Sequence, residues 1–190
     1  GLCTMSNQGV LCEIYQMLAH GVSTGGLFLL VGMLSDRRHT RLISEFGGLK
    51  AVVPQLAAAF MLITLASIGL PGLNGFVGEF LILLGAFKTN PVYATIAASG
   101  VIFAACYMLW MFQRVMFGEV TNEKNKELKD LSCREIAIFA PLILFIFWIG
   151  VYPSTFLNKT KATTDNFIAM MDKAKATQVT QSTVSKGVAK

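Results

Sequence analysis

Leu-Pro-Gly-Leu-Asn-Gly-Phe-Val-Gly-Glu-Phe-Leu-Ile-Leu-Leu-Gly-Ala-Phe, residues 70 to 87, sets one carboxylate, Glu79, in an otherwise apolar run just after a Pro/Gly cluster. A charge at membrane depth costs at least about 2.5–3.5 kcal/mol, so an acid there points to function. Pro71 has no N–H to donate, and Gly72, Gly75 and Gly78 weaken any regular helix around it. In hydrocarbon, freed backbone groups survive only where protein buries them or where they face a water-filled cavity. A helix break at Pro71-Gly72, followed within two turns by an acid, is what an ion path through a bilayer needs. The competing reading is a kinked structural helix with Glu79 bonded to a neighbour.

Composition agrees with a membrane setting. The chain is 54% hydrophobic and 14% charged, with a mean hydropathy of +0.58, far from an ordinary soluble domain. The net charge of +5 is not a nucleic-acid signature, because the lysines and arginines sit in the connections and the C-terminal tail. Cys3, Cys12, Cys106 and Cys133 show no CxxC spacing and no close histidine. They read as free thiols and not as a disulfide frame, metal site or iron–sulfur site. There is no Gly-rich phosphate loop and no Ser or Cys triad pattern, so soluble-enzyme chemistry is excluded. No metal site and no cofactor-binding residues are expected on this chain.

Four apolar segments carry the organisation, at about 14–34, 52–87, 92–117 and 136–151. A spanning helix needs about 20 apolar residues. The fourth is short unless it extends to Leu157. The second is too long: as one helix it would reach roughly 54 Å at about 1.5 Å per residue, against a hydrocarbon core of about 30 Å. Positive charge decides how it is accommodated. Arg37, Arg38, Arg41 and Lys50 precede it, only Lys88 follows it, and Lys124, Lys126, Lys129 and Arg134 lie beyond the third segment. A single crossing puts both basic loops on one side, as the positive-inside rule requires. The sequence therefore predicts an all-α membrane protein with four transmembrane helices, the second discontinuous at Pro71-Gly72. The polytopic membrane domain covers 1–157, and 158–190 is expected to be a polar, flexible tail. The N-terminus with Cys3, and the tail, should face away from the basic side.

The first segment carries a polar stripe. Glu13, Gln16, His20 and then Ser23 or Thr24 recur at spacings of three and four, which places them on one helix face. A histidine inside an apolar span can pass protons near neutral pH, with Gln16, Ser23 and Thr24 ordering a polar path. The structural alternative is a buried neutral His20, with Ser23 and Thr24 bonding back to helix carbonyls. Other polar features read blandly. Residues 119–130 alternate charges as a solvated loop would, and Pro141 falls in the first turn or two of the fourth helix, where it is tolerated.

The run Gln16-Met-Leu-Ala-His-Gly-Val-Ser-Thr-Gly-Gly-Leu-Phe-Leu-Leu-Val-Gly32, the loop Asp36-Arg-Arg-His-Thr-Arg41 and Gly69-Leu-Pro-Gly-Leu-Asn-Gly-Phe-Val-Gly-Glu-Phe80 resemble one family. They look like the C-terminal part of the antiporter-like subunit 4, the bacterial M-type subunit, of NADH:quinone oxidoreductase, respiratory complex I. The likeness covers residues from about 9 to 157. It implies half of an antiporter-like bundle, proton translocation coupled to quinone reduction elsewhere, and a proton relay through Glu79 and His20. It implies no flavin, iron–sulfur cluster or quinone on this chain. Partners would be other membrane-arm subunits and the lipid bilayer, with no nucleic acid. Because the likeness covers only the last four of the family's membrane helices, a separate chain carrying the upstream helices is expected. The implied location is an energy-transducing membrane, the mitochondrial inner membrane ahead of the bacterial plasma membrane. Subunits of monovalent-cation/proton antiporters and membrane-bound hydrogenases share the scaffold and stand second, and a purely structural membrane subunit stands third.

Overall fold

Pro, Gly and polar residues between the apolar runs set the helix ends. The computed structural model describes residues 7–188. Among those residues it contains helices α1 (Asn7–Arg38), α2 (Leu49–Val52), α3 (Pro54–Ser67), α4 (Asn74–Thr89), α5 (Pro91–Met116), α6 (Cys133–Val151) and α7 (Ser154–Val188). Short 3-10 turns at Ile43–Glu45 and Glu123–Asn125 lie in the two basic loops. There is no strand among the described residues. α1, α5 and α6 are long and apolar enough to cross a membrane, and α3 is a shorter apolar helix. The remaining crossing is split: α3 stops at Ser67 and α4 restarts at Asn74. The all-α membrane architecture with a discontinuous second crossing is thus the one observed.

Each terminus has a local cause. Asn90 caps α5, its Oδ1 accepting from the N–H groups of Val92 at 3.1 Å and Tyr93 at 3.2 Å, and Pro91 occupies the first helical position, where no N–H is missed. Ser132 and Glu135 form a reciprocal capping box at the start of α6. That box starts the helix at Cys133, earlier than the sequence predicts. Pro141 therefore lies inside the helix and not in its opening turns, and it leaves one carbonyl of the preceding turn without its usual donor.

The core lies between α1, α3, α5 and α6. Leu30, Leu56, Phe60, Ile63, Phe112, Met116, Phe139 and Ile146 are buried there. Phe112 meets Phe60 and Phe117 edge to face at 5.5 and 5.7 Å. The basic loops meet at one end of this bundle. Arg37 Nη2 donates to both carboxylate oxygens of Glu135 at 2.8 Å. The Gly48 N–H donates to the Phe117 carbonyl at 3.1 Å, and Asn122 Nδ2 donates to Glu45 Oε2 at 2.9 Å. Asp130 caps α3 from a distance, accepting from the N–H groups of Gln55 at 2.9 Å and Leu56 at 3.0 Å. The stretch 119–130 is accordingly not a free solvated loop: Asn125 is buried and Leu128 packs on the core.

The tail, expected over 158–190 to be polar and flexible, is helical among the described residues, α7 running to Val188, with 189–190 and Cys3 outside the described residues. No Gly or Pro interrupts 154–186, and Ala, Lys, Met and Gln are good helix formers. Phe156 and Leu157 anchor its first turn against Tyr15, Ala19 and Ile149.

Candidate functional site: the helix break and the polar seam of α1

The break begins earlier than Pro71. Gly69 adopts φ +75° and Gly72 φ +91°, left-handed conformations that glycine enters without a Cβ penalty. Pro71, between them, is exposed. The chain satisfies part of its own unwound backbone. The Ile68 N–H donates to the Thr64 carbonyl at 3.0 Å, that of Leu70 to Leu65 at 3.1 Å, and that of Leu73 to Leu70 at 3.1 Å. Two glycines let other backbone close in: Gly75 packs on the Ala66 carbonyl, and Gly150 of α6 packs on Gly72 and Leu73. A side chain at either position would push the break apart.

Glu79 lies in the second turn of α4, half-buried, and touches this break directly. A Cβ on Gly69 would lie 2.6 Å from Glu79 Oε2. Its other oxygen, Oε1, accepts from Gln16 Nε2 of α1 at 3.4 Å, a long bond. Gln16 comes close because Gly78 offers no side chain; a Cβ there would collide with the amide. Gln16 Oε1 is buried without a hydrogen-bond partner in the structure. The acid and the amide thus form a pair with unused hydrogen-bonding capacity on both sides.

One turn along α1, His20 lies within electrostatic reach of Glu79. His20 is exposed and not buried. Its ring meets Thr24 Oγ1, with Nε2 at 3.2 Å and Nδ1 at 3.5 Å, so Thr24 turns to the imidazole and not to a helix carbonyl. Ser23 goes elsewhere. Its Oγ lies 3.1 Å from Asn74 Oδ1 and 2.9 Å from Asn74 Nδ2. Of the predicted residues, Gln16, His20, Thr24 and Glu79 share one seam, and Ser23 sits on an adjoining branch. Pro71 and Gly72 lie in the break itself, Gly72 with φ +91°.

Sequence reasoning passed over Asn74, Tyr15, Gly69 and Gly150. Asn74 is fully buried at the first position of α4, and its Nδ2 also donates to the Ala19 carbonyl at 2.7 Å. It ties the restart of the broken helix to α1. The signal was present, since an amide inside an apolar run needs a partner as much as an acid does. Tyr15 donates its hydroxyl to the Ile149 carbonyl at 2.6 Å and so ties α1 to the end of α6. The roles of Gly69 and Gly150 depend on backbone that is distant in sequence, which no local pattern reveals.

Comparison with known proteins bears on this seam. Residues 1–104 match the family described as NADH:quinone oxidoreductase/Mrp antiporter, TM. This chain belongs to that family. Every candidate residue from Gln16 to Glu79 lies inside the matched stretch. NADH-quinone oxidoreductase subunit M of Rhodobacter capsulatus is 51% identical over 154 residues, covering 81% of this chain and 30% of that protein. A chain of respiratory complex I from Thermus thermophilus with bound NADH superposes with a TM-score of 0.79 at 38% identity, covering 87% of this chain and 35% of that one. A chain of the Mrp complex from Dietzia sp. DQ12-45-1b gives a TM-score of 0.70 at 19% identity, covering 85% of this chain and 38% of that one, a likeness of fold alone. The chain spans about a third of the length of the relatives it matches. The resemblance to the M-type subunit read from the motifs is the relationship the comparisons return.

Proposed function

We propose that this chain is part of the proton-translocating, antiporter-like membrane subunit of an NADH:quinone oxidoreductase. In this reading it moves protons while the redox chemistry, with its flavin, iron–sulfur clusters and quinone, takes place elsewhere in the complex. The observation that carries it is Glu79: an acid in an apolar crossing, set on the unwound peptide at Gly69 and hydrogen-bonded to an α1 amide. Glu79 accepts and releases the proton. Gln16 orients the carboxylate, and His20 with Thr24 continues the path along α1 toward the basic end. Gaps longer than a hydrogen bond are crossed by water, which can bridge polar groups at little cost. The match to subunit M and the superposition on a complex I chain support the coupling partner.

The remaining helices of the subunit, carried on a separate polypeptide, are proposed to complete the seam. His20 is exposed, and a polar side chain facing lipid at depth is costly. The membrane is an energy-transducing one, the mitochondrial inner membrane by preference. Purification in mild detergent tests this reading. The chain should migrate in a multi-subunit assembly with NADH dehydrogenase activity. Recovery as a small homo-oligomer without that activity would contradict it. The fold shared with the Mrp complex favours a second reading, a subunit of a monovalent-cation/proton antiporter. Sodium-dependent proton movement without NADH oxidation would select it.

A further inference from the structure

Arg38 is a buried cation outside the proton path. Its side chain is only 5% exposed, its nearest carboxylate, Glu45 Oε2, is 3.7 Å away, and its Nε is buried without a hydrogen-bond partner. Glu45 Oε2 already accepts from Asn122 at 2.9 Å, so it answers the guanidinium only in part. Phe46 lies 6.0 Å from the guanidinium carbon and contributes little more. Arg37, by contrast, is paired bidentately with Glu135. Arg38 lines a cleft of about 390 Å³ together with Arg37, His39, Lys124, Glu127 and Leu128. Three of those side chains are permanently cationic and one is anionic. His39, at φ +54°, turns the chain at the end of α1 and lines the same cleft.

The geometry points to a binding site for the phosphate of an anionic phospholipid headgroup in this cleft. The chemistry is that of guanidinium and ammonium donors converging on a phosphate, for which arginine is especially suited. The depth is that of a headgroup, because Arg37 and Arg38 close α1 at its basic end, beyond the apolar run Leu27–Leu34 and the polar pair Ser35 and Asp36. Basic pockets at the ends of membrane helices on the positive side are where anionic headgroups bind. Free phosphate would present the same oxygens, so the test must separate the two sources.

The membrane-embedded chain, with the polypeptides that accompany it, is placed in phosphatidylcholine vesicles doped with a photoreactive phosphatidylglycerol or a photoreactive phosphatidylcholine. The anionic probe should label peptides containing residues 37–39 or 124–128, and the zwitterionic probe should not. Lys124 is exposed, so Lys124→Gln leaves the fold intact, and it should lower labelling about fivefold, the usual weight of one basic side chain near an anionic surface. Arg38→Gln should lower it further, and Arg38→Lys, which keeps the charge, should retain most of it. Equal labelling by both probes, or unchanged labelling of Lys124→Gln, would overturn the assignment. Loss of labelling in a large excess of inorganic phosphate would replace the lipid by a soluble phosphate ligand. The readout is lipid labelling and not transport, so it stands or fails independently of the proton path.

Discussion

The two ends of α1 are built on opposite terms. At the basic end, this chain closes most of its own contacts, with Arg38 left short: Arg37 Nη2 donates to both oxygens of Glu135 at 2.8 Å, each side chain 19% exposed. Asp130 satisfies two N-terminal amides of α3, and Ser132 with Glu135 completes a capping box. At the break, the same chain leaves polar groups short. The Gln16–Glu79 bond is 3.4 Å long, Gln16 Oε1 has no partner, and His20 is exposed. Short, saturated contacts hold geometry; long, unsaturated ones can change partner as a proton arrives or leaves. The first end reads as a clasp and the second as a working site. Variants at the clasp should therefore change stability, and variants at the seam should change transport.

The largest effect is expected where a backbone contact would be pried open. Gly150→Leu forces a side chain onto Gly72 and Leu73, an overpacking that costs about 3 kcal/mol. The chain should then fail to accumulate in the membrane, measured by its abundance relative to co-expressed partners. A normal level would mean that α6 does not brace the break. Next is the clasp. Arg37→Gln leaves Glu135 partly buried without its cation and should cost about 2 kcal/mol, read as a lower unfolding temperature in detergent with transport per assembled complex unchanged. Asp130→Ala removes the cap on α3 and should cost about 1–2 kcal/mol by the same measurement. A transport defect without a stability change in either variant would erase the distinction between the two ends. The smallest effect is expected along α1. His20→Ala should slow proton movement several-fold and Thr24→Ala less, because Thr24 touches only the imidazole in this seam. Equal and negligible effects would reduce the stripe to packing.

Much of this arrangement was legible in residue order. The overlong second segment, its glycines and the positions of the arginines and lysines predicted the broken crossing and the shared basic end. Periodicity placed Gln16, His20 and Thr24 on one face, and the lone acid marked Glu79. What escaped was non-local. That Asp130 caps α3, that Asn74 anchors to Ala19 and Ser23, and that Gly150 meets the break all depend on contacts between segments far apart in the chain. The tail is a different case. Its Thr and Lys content carries no strong helix signal, yet uninterrupted helix formers anchored by Phe156 and Leu157 continue α7 to Val188.

The central claim is that Glu79 moves protons and is not needed for assembly. Proton translocation coupled to NADH oxidation by the assembled Glu79→Gln variant, in sealed vesicles, tests it most directly. The amide keeps the size of the side chain and the bond to Gln16 but cannot ionise. The account predicts a complex of normal abundance that has lost most of its proton translocation, with Glu79→Asp retaining more. Full translocation by an assembled Glu79→Gln complex would contradict it and leave the carboxylate as a packing group of the broken helix.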